Sequence, residues 1–110
     1  MGTRFIEFGV VFVRRVGADL VVAGRCNEGP IKLGDTFALA YRYTQRSTAE
    51  GGPAVHPTRS DDRPVALRVG AIRAYRESLS EVHAGTTAEL TLADEGKGEV
   101  HPGDVLAGTV

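Results

Sequence analysis

Apolar and polar residues form short runs along this chain, and none has the length and spacing of a convincing amphipathic helix. Phe5 to Val13 is an apolar and β-branched stretch with one charged residue, Glu7, and Leu20 to Ala23 resumes that pattern after the turn residues 17–19. Runs of this length and composition indicate buried strands, and the short break between these two predicts a β-hairpin.

The same pattern continues to the end of the chain, with further strands predicted over residues 31–33, 36–41, 65–72, 86–92 and 105–108. Two of these strands directly follow a Gly-Asp pair, Gly34-Asp35 and Gly103-Asp104. Glycine accepts positive φ and aspartate can bond nearby backbone amides, so each pair predicts a tight turn that leads into a strand. Many short strands and no helix predict an all-β fold, a small closed antiparallel β-barrel, because closure removes open sheet edges.

One stretch departs from this pattern. Residues 42–64 contain Gly51, Gly52 and three of the five prolines among scattered polar residues. We expect one long, flexible loop here, since loops of more than about 15 residues in a compact domain are often functional or disordered. Its first part, residues 41–46, is also compatible with a continuation of the preceding strand. The whole chain, residues 1–110, is predicted to be a single domain.

Composition removes several classes of function. The single cysteine, Cys26, excludes an intrachain disulfide and favours a reducing, cytoplasmic location. No apolar stretch approaches the roughly 20 residues needed to span a bilayer, so we expect no membrane insertion. His56, His83 and His101 do not have the spacing of metal ligands, and Cys26 is predicted to be a small buried hydrophobe. We therefore expect no metal, no cofactor and no catalytic residues.

The net charge of -1 hides an uneven distribution along the chain. Residues 1–76 carry 12 basic and 7 acidic side chains, whereas residues 77–110 carry 1 and 7. Eleven of the 13 basic residues are arginine, whose planar guanidinium suits phosphate and stacks on bases. Two interpretations stay open: a basic face that binds a partner, or charges that mix again once distant strands pair.

Several short motifs follow one another in a characteristic order across most of the chain. They are an apolar strand at residues 8–13, the strand end Gly24-Arg25-Cys26, the turns Gly34-Asp35 and Ala84-Gly85, and the closing Gly103-Asp104-Val105-Leu106. This ordered set resembles the second domain of translational GTPases such as elongation factor Tu, a β-barrel that follows the nucleotide-binding domain.

The resemblance implies RNA binding, because in elongation factor Tu this barrel helps to hold the aminoacyl end of tRNA, and in related factors it contacts ribosomal RNA and protein. Glu81 matches a family glutamate beside the terminal adenosine, and a carboxylate can accept a hydrogen bond from a ribose hydroxyl. Arg25 matches the Gly-Arg strand end. Each also has an ordinary structural explanation: a solvated turn glutamate, and an arginine that stabilises the barrel by pairing with a carboxylate.

The resemblance does not extend to nucleotide hydrolysis. A phosphate-binding loop needs a lysine followed by Ser or Thr, and the only Gly-Lys step, Gly96-Lys97, is followed by glycine in an acidic turn. The loop over residues 42–64 is also longer than the connection expected in the family.

The sequence thus predicts a noncatalytic binding module with RNA, the ribosome or a ribonucleoprotein as its partner. The alternative is a protein-interaction or regulatory domain that uses the loop 42–64 on a barrel scaffold. The candidate RNA-binding residues are Arg25, Arg46, Arg73, Arg76 and Glu81.

Overall fold

The computed structural model describes residues 3–44, 58–96 and 99–110, and within these segments it contains nine β-strands. They are β1 (Phe5–Val16), β2 (Asp19–Glu28), β3 (Ile31–Lys32), β4 (Thr36–Thr44), β5 (Thr58–Ala74), β6 (Glu77–Leu79), β7 (Glu81–Val82), β8 (Thr87–Asp94) and β9 (Val105–Thr109). No helix long and apolar enough to cross a bilayer occurs in those segments.

Six of the strands form a hydrogen-bonded ring. In order around the ring they are β4, β9, β1, β2, β8 and β5, and β5 pairs again with β4, every pair being antiparallel. β6 adds to the end of β5, while β3 and β7 form a separate two-stranded sheet. The predicted all-β, antiparallel architecture is confirmed. A ring also satisfies the backbone groups on both sides of each of its strands.

The interior of the ring holds the main hydrophobic core. Leu20 and Val22 on β2 lie opposite Leu92 and Leu90 on β8, and all four side chains are almost completely buried. Residues directly opposite in an antiparallel pair point to the same face, so these rows fill the interior layer by layer. Burying each such side chain contributes roughly 1.5–3 kcal/mol.

A bulge in β1 limits the burial of the long apolar run predicted over residues 5–13. The pairing with β2 shifts between Val10 and Phe12, so that Val10 faces the core at 3% exposure. Val11 and Phe12 then lie outside at 74% and 55% exposure. An extra residue in one strand reverses the inward and outward alternation. The prediction of a buried strand is therefore wrong for Val11 and Phe12, whereas Val13 packs against the core again. The predicted hairpin of β1 and β2 is confirmed.

The two Gly-Asp pairs form equivalent turns. Gly34 and Gly103 have φ of 88° and 94°. The Asp35 carboxylate accepts a hydrogen bond from the Lys32 amide at 2.8 Å, and the Asp104 carboxylate accepts one from the His101 amide at 2.7 Å. Both predicted turns are confirmed, with Gly in the left-handed region and Asp bonded to a backbone amide three residues earlier.

The predicted loop over residues 42–64 is too long at both ends. β4 continues to Thr44 and β5 begins at Thr58, and their pairing runs from Thr44 opposite Thr58 to Thr36 opposite Arg68. Exposed polar residues build this part of the hairpin, so it lacks the apolar alternation that reveals a half-buried strand. The remainder, residues 45–57, lies outside the described residues.

Cys26 is part of the main core and is completely buried. Burial, and secondarily the charge of Glu28, raises the pKa of its thiol. The prediction of a small buried hydrophobe is confirmed, and the thiol is held in its protonated, unreactive form.

Candidate nucleic-acid interface

The residues predicted to bind RNA occupy different parts of the fold. Arg25 lies near the end of β2, Arg73 on β5, and Arg76 in the turn between β5 and β6, all three with exposed side chains. Glu81 lies on β7, outside the ring, opposite Lys32 on β3. Arg46 lies outside the described residues.

On the β4–β5 side of the molecule, arginines converge on a buried carboxylate. Asp104 is completely buried, and Arg63 donates to its Oδ2. Arg42 Nε lies 2.9 Å from Oδ1, an ion pair whose geometry falls short of a hydrogen bond. Arg63 also donates to the Glu99 carbonyl at 3.1 Å, which ties β5 to the segment before β9. These two arginines stabilise the second Gly-Asp turn.

The first Gly-Asp turn has a similar clamp. Arg4 Nη2 lies 3.1 Å from Asp35 Oδ1, and Arg4 also donates to the Pro30 carbonyl. Arg4 thus stabilises this turn by pairing with its carboxylate. Arg25, for which the sequence allowed a similar structural role, has no carboxylate within ion-pair distance in the described segments.

Two more ion pairs involve exposed arginines. Arg15 Nη2 lies 2.8 Å from Asp94 Oδ2, and Arg59 Nη2 lies 2.8 Å from Asp62 Oδ2. The pairs of Arg15 with Asp94 and of Arg42 and Arg63 with Asp104 join the basic and acidic parts of the sequence. Charge mixing therefore explains part of the asymmetry seen along the chain, as the second interpretation predicted.

The mixing is incomplete. Among the arginines of the three described segments, five have no carboxylate within ion-pair distance and no side-chain hydrogen bond. All five are exposed, and we call the surface that they define the arginine face. Its members are Arg14, Arg25, Arg68, Arg73 and Arg76.

The strand register places the strand arginines of this set on the outside of the ring. One row across the sheet runs from Phe12 on β1 through Ala23 and Glu89 to Arg73 on β5. The next row runs from Arg14 on β1 through β2 and β8 to Ala71 on β5.

Two further rows of the sheet contain Arg25 and Arg68. Arg68 stands at the end of the row that begins at Val16, and Arg25 lies opposite Thr87. Opposed residues share a face, so Arg14, Arg25, Arg68 and Arg73 all project from the outer surface of β1, β2, β8 and β5.

Apolar side chains lie between these arginines. Phe12 and Val16 are about half exposed on the face, and Val21 is buried there although it lies outside the main core. At the β5–β6 turn, Tyr75 is 84% exposed and lines a shallow cleft with Arg73, Arg76 and Glu89. Cationic grooves with interleaved aromatic rings are typical of surfaces that bind single-stranded nucleic acid.

Backbone strain accompanies this exposure. Tyr75 and Arg76 have φ of 54° and 65°, values that a bulky side chain adopts at a cost of roughly 1–3 kcal/mol each.

Acidic residues on the face are fewer than the arginines. Glu89 stands between Ala23 and Arg73 in the register, half-buried, and Asp19 stands between Val16 and Ala93. Neither carboxylate comes within ion-pair distance of an arginine in the described segments. The face therefore keeps an excess of positive charge where a polyanion could approach.

Glu81 is set apart from the arginine face. Its Oε2 lies 3.4 Å from His83 Nε2, just before the turn that connects β7 to β8. Arg25 faces that same turn, since a Cβ placed on Gly85 would lie 3.9 Å from its Nη2. The two residues singled out by the family resemblance thus lie on either side of one turn, without a direct contact.

A second buried carboxylate, Glu7, lies within a polar and aromatic cluster. Glu7 accepts hydrogen bonds from the hydroxyls of Tyr41 and Tyr43, and from Asn27 Nδ2 at 3.1 Å. Burial first, and then the bond to Glu7, raises the pKa of Tyr41 far above its ordinary value. The guanidinium of Arg59 lies 4.0 Å above the Tyr41 ring. Sequence reasoning missed this cluster, whose members come from four strands, β1, β2, β4 and β5.

Sequence reasoning also left Arg14 and Arg68 out of the site. The alternation of Leu67, Arg68 and Val69 was sufficient to place Arg68 on the outer surface. Arg14 and Arg15 are adjacent, and only the bulge in β1 decides which of them faces outward.

Metal binding finds no support in the described segments, where no group of three or more His, Cys, Asp and Glu residues is arranged to hold an ion.

Comparison with known proteins gives a structural likeness only. No family model matches the chain, and no curated protein matches it in sequence. Among solved structures, the chain is similar to the apo form of translation elongation factor SelB from Methanococcus maripaludis, with a TM-score of 0.65 and 18% identity. The match covers 94% of this chain and 19% of the SelB chain. This similarity shows the fold, and it confirms that the chain resembles a β domain of a translation factor.

Proposed function

We propose that this chain is a noncatalytic RNA-binding module, a closed β-barrel of the translation-factor domain 2 type that contacts RNA or a ribonucleoprotein through its arginine face. The observation that carries the proposal is the segregation of the arginines. Those with carboxylate partners stabilise turns and strand ends, whereas those without partners in the described segments share one outer surface.

Unpaired, exposed arginines are suited to phosphate. Each guanidinium offers several donors in a planar fork, and it is not neutralised by a neighbouring carboxylate. Folding does not require these arginines to be unpaired and exposed, because exposed charges contribute little to stability. RNA phosphates would supply the missing negative charge. The translation-factor fold makes a ribosomal or transfer RNA the partner to test first.

Glu81 and Arg46 complete the proposed contact. Glu81 would accept a hydrogen bond from a ribose hydroxyl or an exocyclic amine at the turn that Arg25 faces, as the family resemblance implies. Arg46, in the segment 45–57, is included as an RNA-binding residue on the basis of the sequence alone.

Titration of labelled single-stranded RNA at several salt concentrations tests the proposal. If each of the five arginines neutralises one phosphate, log K should fall against log[salt] with a slope of about -3.5, at about 0.7 per phosphate. The variant Arg25→Gln/Arg68→Gln/Arg73→Gln should bind more weakly, with a slope of about -1.4. Its thermal unfolding should stay close to that of the parent, because no ion pair is lost.

Arg59→Gln is the matched control, since Arg59 is an exposed arginine that pairs with Asp62 away from the arginine face. It should leave the slope unchanged. Absence of binding at about 50 mM salt would contradict RNA binding altogether. Binding with the same slope in the parent and the triple variant would mean that RNA contacts a different surface.

A further inference from the structure

The turn between β5 and β6 is built from residues that such turns ordinarily avoid. Ala74 pairs with Glu77, so the connection is the two-residue turn Tyr75-Arg76, which we call the tip. Both residues have positive φ, 54° and 65°. A two-residue hairpin turn of this kind favours Asn-Gly, because those residues reach positive φ with little strain. The tip keeps a bulky aromatic and a long cationic side chain instead.

The side chains at the tip do not contribute to the core. Tyr75 is 84% exposed, the highest value among the exposed large hydrophobic residues of the described segments. Arg73 and Arg76 beside it are exposed and have no ion-pair partner there. The strained backbone and the exposed side chains of the tip do not stabilise the free protein. Strained residues of this kind are concentrated at sites that contact ligands.

The chemistry of the tip suits an unpaired nucleotide. An aromatic ring stacks on the face of any base, but in a duplex both faces of an internal base are covered by its neighbours. The shallow cleft beneath Tyr75 brings Arg73 and Arg76 within reach of the flanking phosphates. Glu89, in the same cleft, supplies an acceptor for an exocyclic amine.

We propose that the tip binds an unpaired RNA nucleotide, with the Tyr75 ring stacked on the base and Arg73 and Arg76 against its phosphates. This inference rests on the proposed function of the arginine face, which supplies the phosphate contacts common to single and double strands. The tip adds the preference for single strands.

Fluorescence anisotropy with a single-stranded RNA of about ten nucleotides and a duplex of the same length separates the two contributions. Tyr75→Ala should lower single-strand affinity about 5- to 100-fold and change duplex affinity less than about twofold. Tyr75→Phe should retain the parental preference, since phenylalanine also stacks. Phe5→Ala is the control, because Phe5 is a half-exposed aromatic on β1 opposite β9, away from the arginine face.

A second variant, Tyr75→Asn/Arg76→Gly, supplies an independent readout. It installs the residues that the turn favours, so its melting temperature should rise by about 4 °C or more. Its single-strand affinity should fall at least as far as in Tyr75→Ala, because the phosphate contact of Arg76 is lost as well. A variant that becomes more stable and binds less tightly would show that the strained turn serves ligand binding rather than folding.

The outcomes separate the two proposals. If the parent binds both RNAs with a steep salt dependence and Tyr75→Ala changes neither affinity, or both equally, the tip proposal is overturned and the arginine face stands. If the double variant binds single strands as well as the parent does, the tip proposal is likewise overturned. A parent that binds neither RNA at low salt overturns both.

Discussion

Arginine has different roles on two sides of this molecule. On the β4–β5 side, Arg42 and Arg63 reach a completely buried carboxylate, Asp104, and fasten the turn that leads into β9. On the arginine face, Arg25 and Arg73 project from the outer surface of the ring, and neither comes within ion-pair distance of a carboxylate in the described segments, although Glu89 lies opposite Arg73. The partner, rather than the arginine itself, decides the role.

The contrast matters because the two groups should respond oppositely to mutation. A buried, hydrogen-bonded carboxylate with its cations is costly to disrupt, since a charge is left behind in a poorly solvated place. An exposed, unpaired arginine can be replaced with a change of stability within about 0.5 kcal/mol. The paired arginines should therefore affect folding and the unpaired ones should affect binding.

Asp104→Ala should produce the largest effect, a decrease of about 3 kcal/mol in the free energy of unfolding. It leaves the His101 amide without its acceptor and the largely buried Arg63 with the exposed Asp61 as its remaining carboxylate partner in the described segments. Arg42, which is more exposed, can turn to water and adds less. Urea unfolding followed by circular dichroism measures the difference.

Asp61→Asn is the control for that experiment, because Asp61 has a φ of 60°, which asparagine tolerates and alanine does not. Asp61 also pairs with Arg63, at 3.3 Å, but its side chain is 66% exposed, so loss of its charge should cost less than about 1 kcal/mol. Equal losses in the two variants would show that burial of the partner does not distinguish the ion pairs, and the comparison would fail.

A carboxylate introduced on the arginine face should convert an unpaired arginine into a paired one. Thr87 is exposed and lies directly opposite Arg25, so Thr87→Glu places opposite charges in register across β2 and β8. The pair should add no more than about 1 kcal/mol of stability, as cross-strand ion pairs do. RNA affinity should fall about fivefold, because one phosphate contact is lost, and the salt slope should decrease by roughly one.

Thr87→Gln has the same shape without the charge and should leave both affinity and slope unchanged. If Thr87→Glu binds RNA as tightly as Thr87→Gln, Arg25 does not contact RNA, and the arginine face loses the member that the family resemblance first identified.

The strands could be predicted from the sequence wherever one face of a strand is buried. Leu67 and Val69 alternate with Ala66 and Arg68, and that period of two predicts both the strand and its outward arginine. In β1 the apolar run is continuous, so the alternation is hidden and the bulge after Val10 could not be foreseen. At the polar beginning of β5 the sequence predicts a loop, because the hairpin is exposed there and lacks apolar alternation.

The site was predictable only in part, and for a related reason. Arg25, Arg73 and Arg76 were recognised as arginines in suitable places, but their lack of partners depends on which distant strands adjoin them. Asp104 lies 41 positions from Arg63 in sequence, and local patterning carries no information on that contact. Apart from the local pair of Arg59 with Asp62, long-range contacts separate the paired from the unpaired arginines.

The smallest expected effect concerns Arg15, the paired arginine next to Arg14 of the arginine face. Its partner Asp94 accepts a hydrogen bond from the Gly96 amide at 2.9 Å, and this bond first, then Arg15, lowers the pKa of the carboxyl. A lowered pKa in the folded state means that the contribution to stability is complete above the ordinary aspartate pKa of about 3.9.

That contribution is lost as the pH falls through the folded pKa of the carboxyl. Asp94→Asn should therefore decrease the free energy of unfolding by less than about 1 kcal/mol near pH 6, since Arg15 is half exposed. The difference from the parent should shrink steadily as the pH is lowered below about 4. Urea unfolding across this range measures it, with Asp19→Asn on the arginine face as the control. A pH-independent difference would mean that Asp94 contributes through the shape of its turn rather than through its charge.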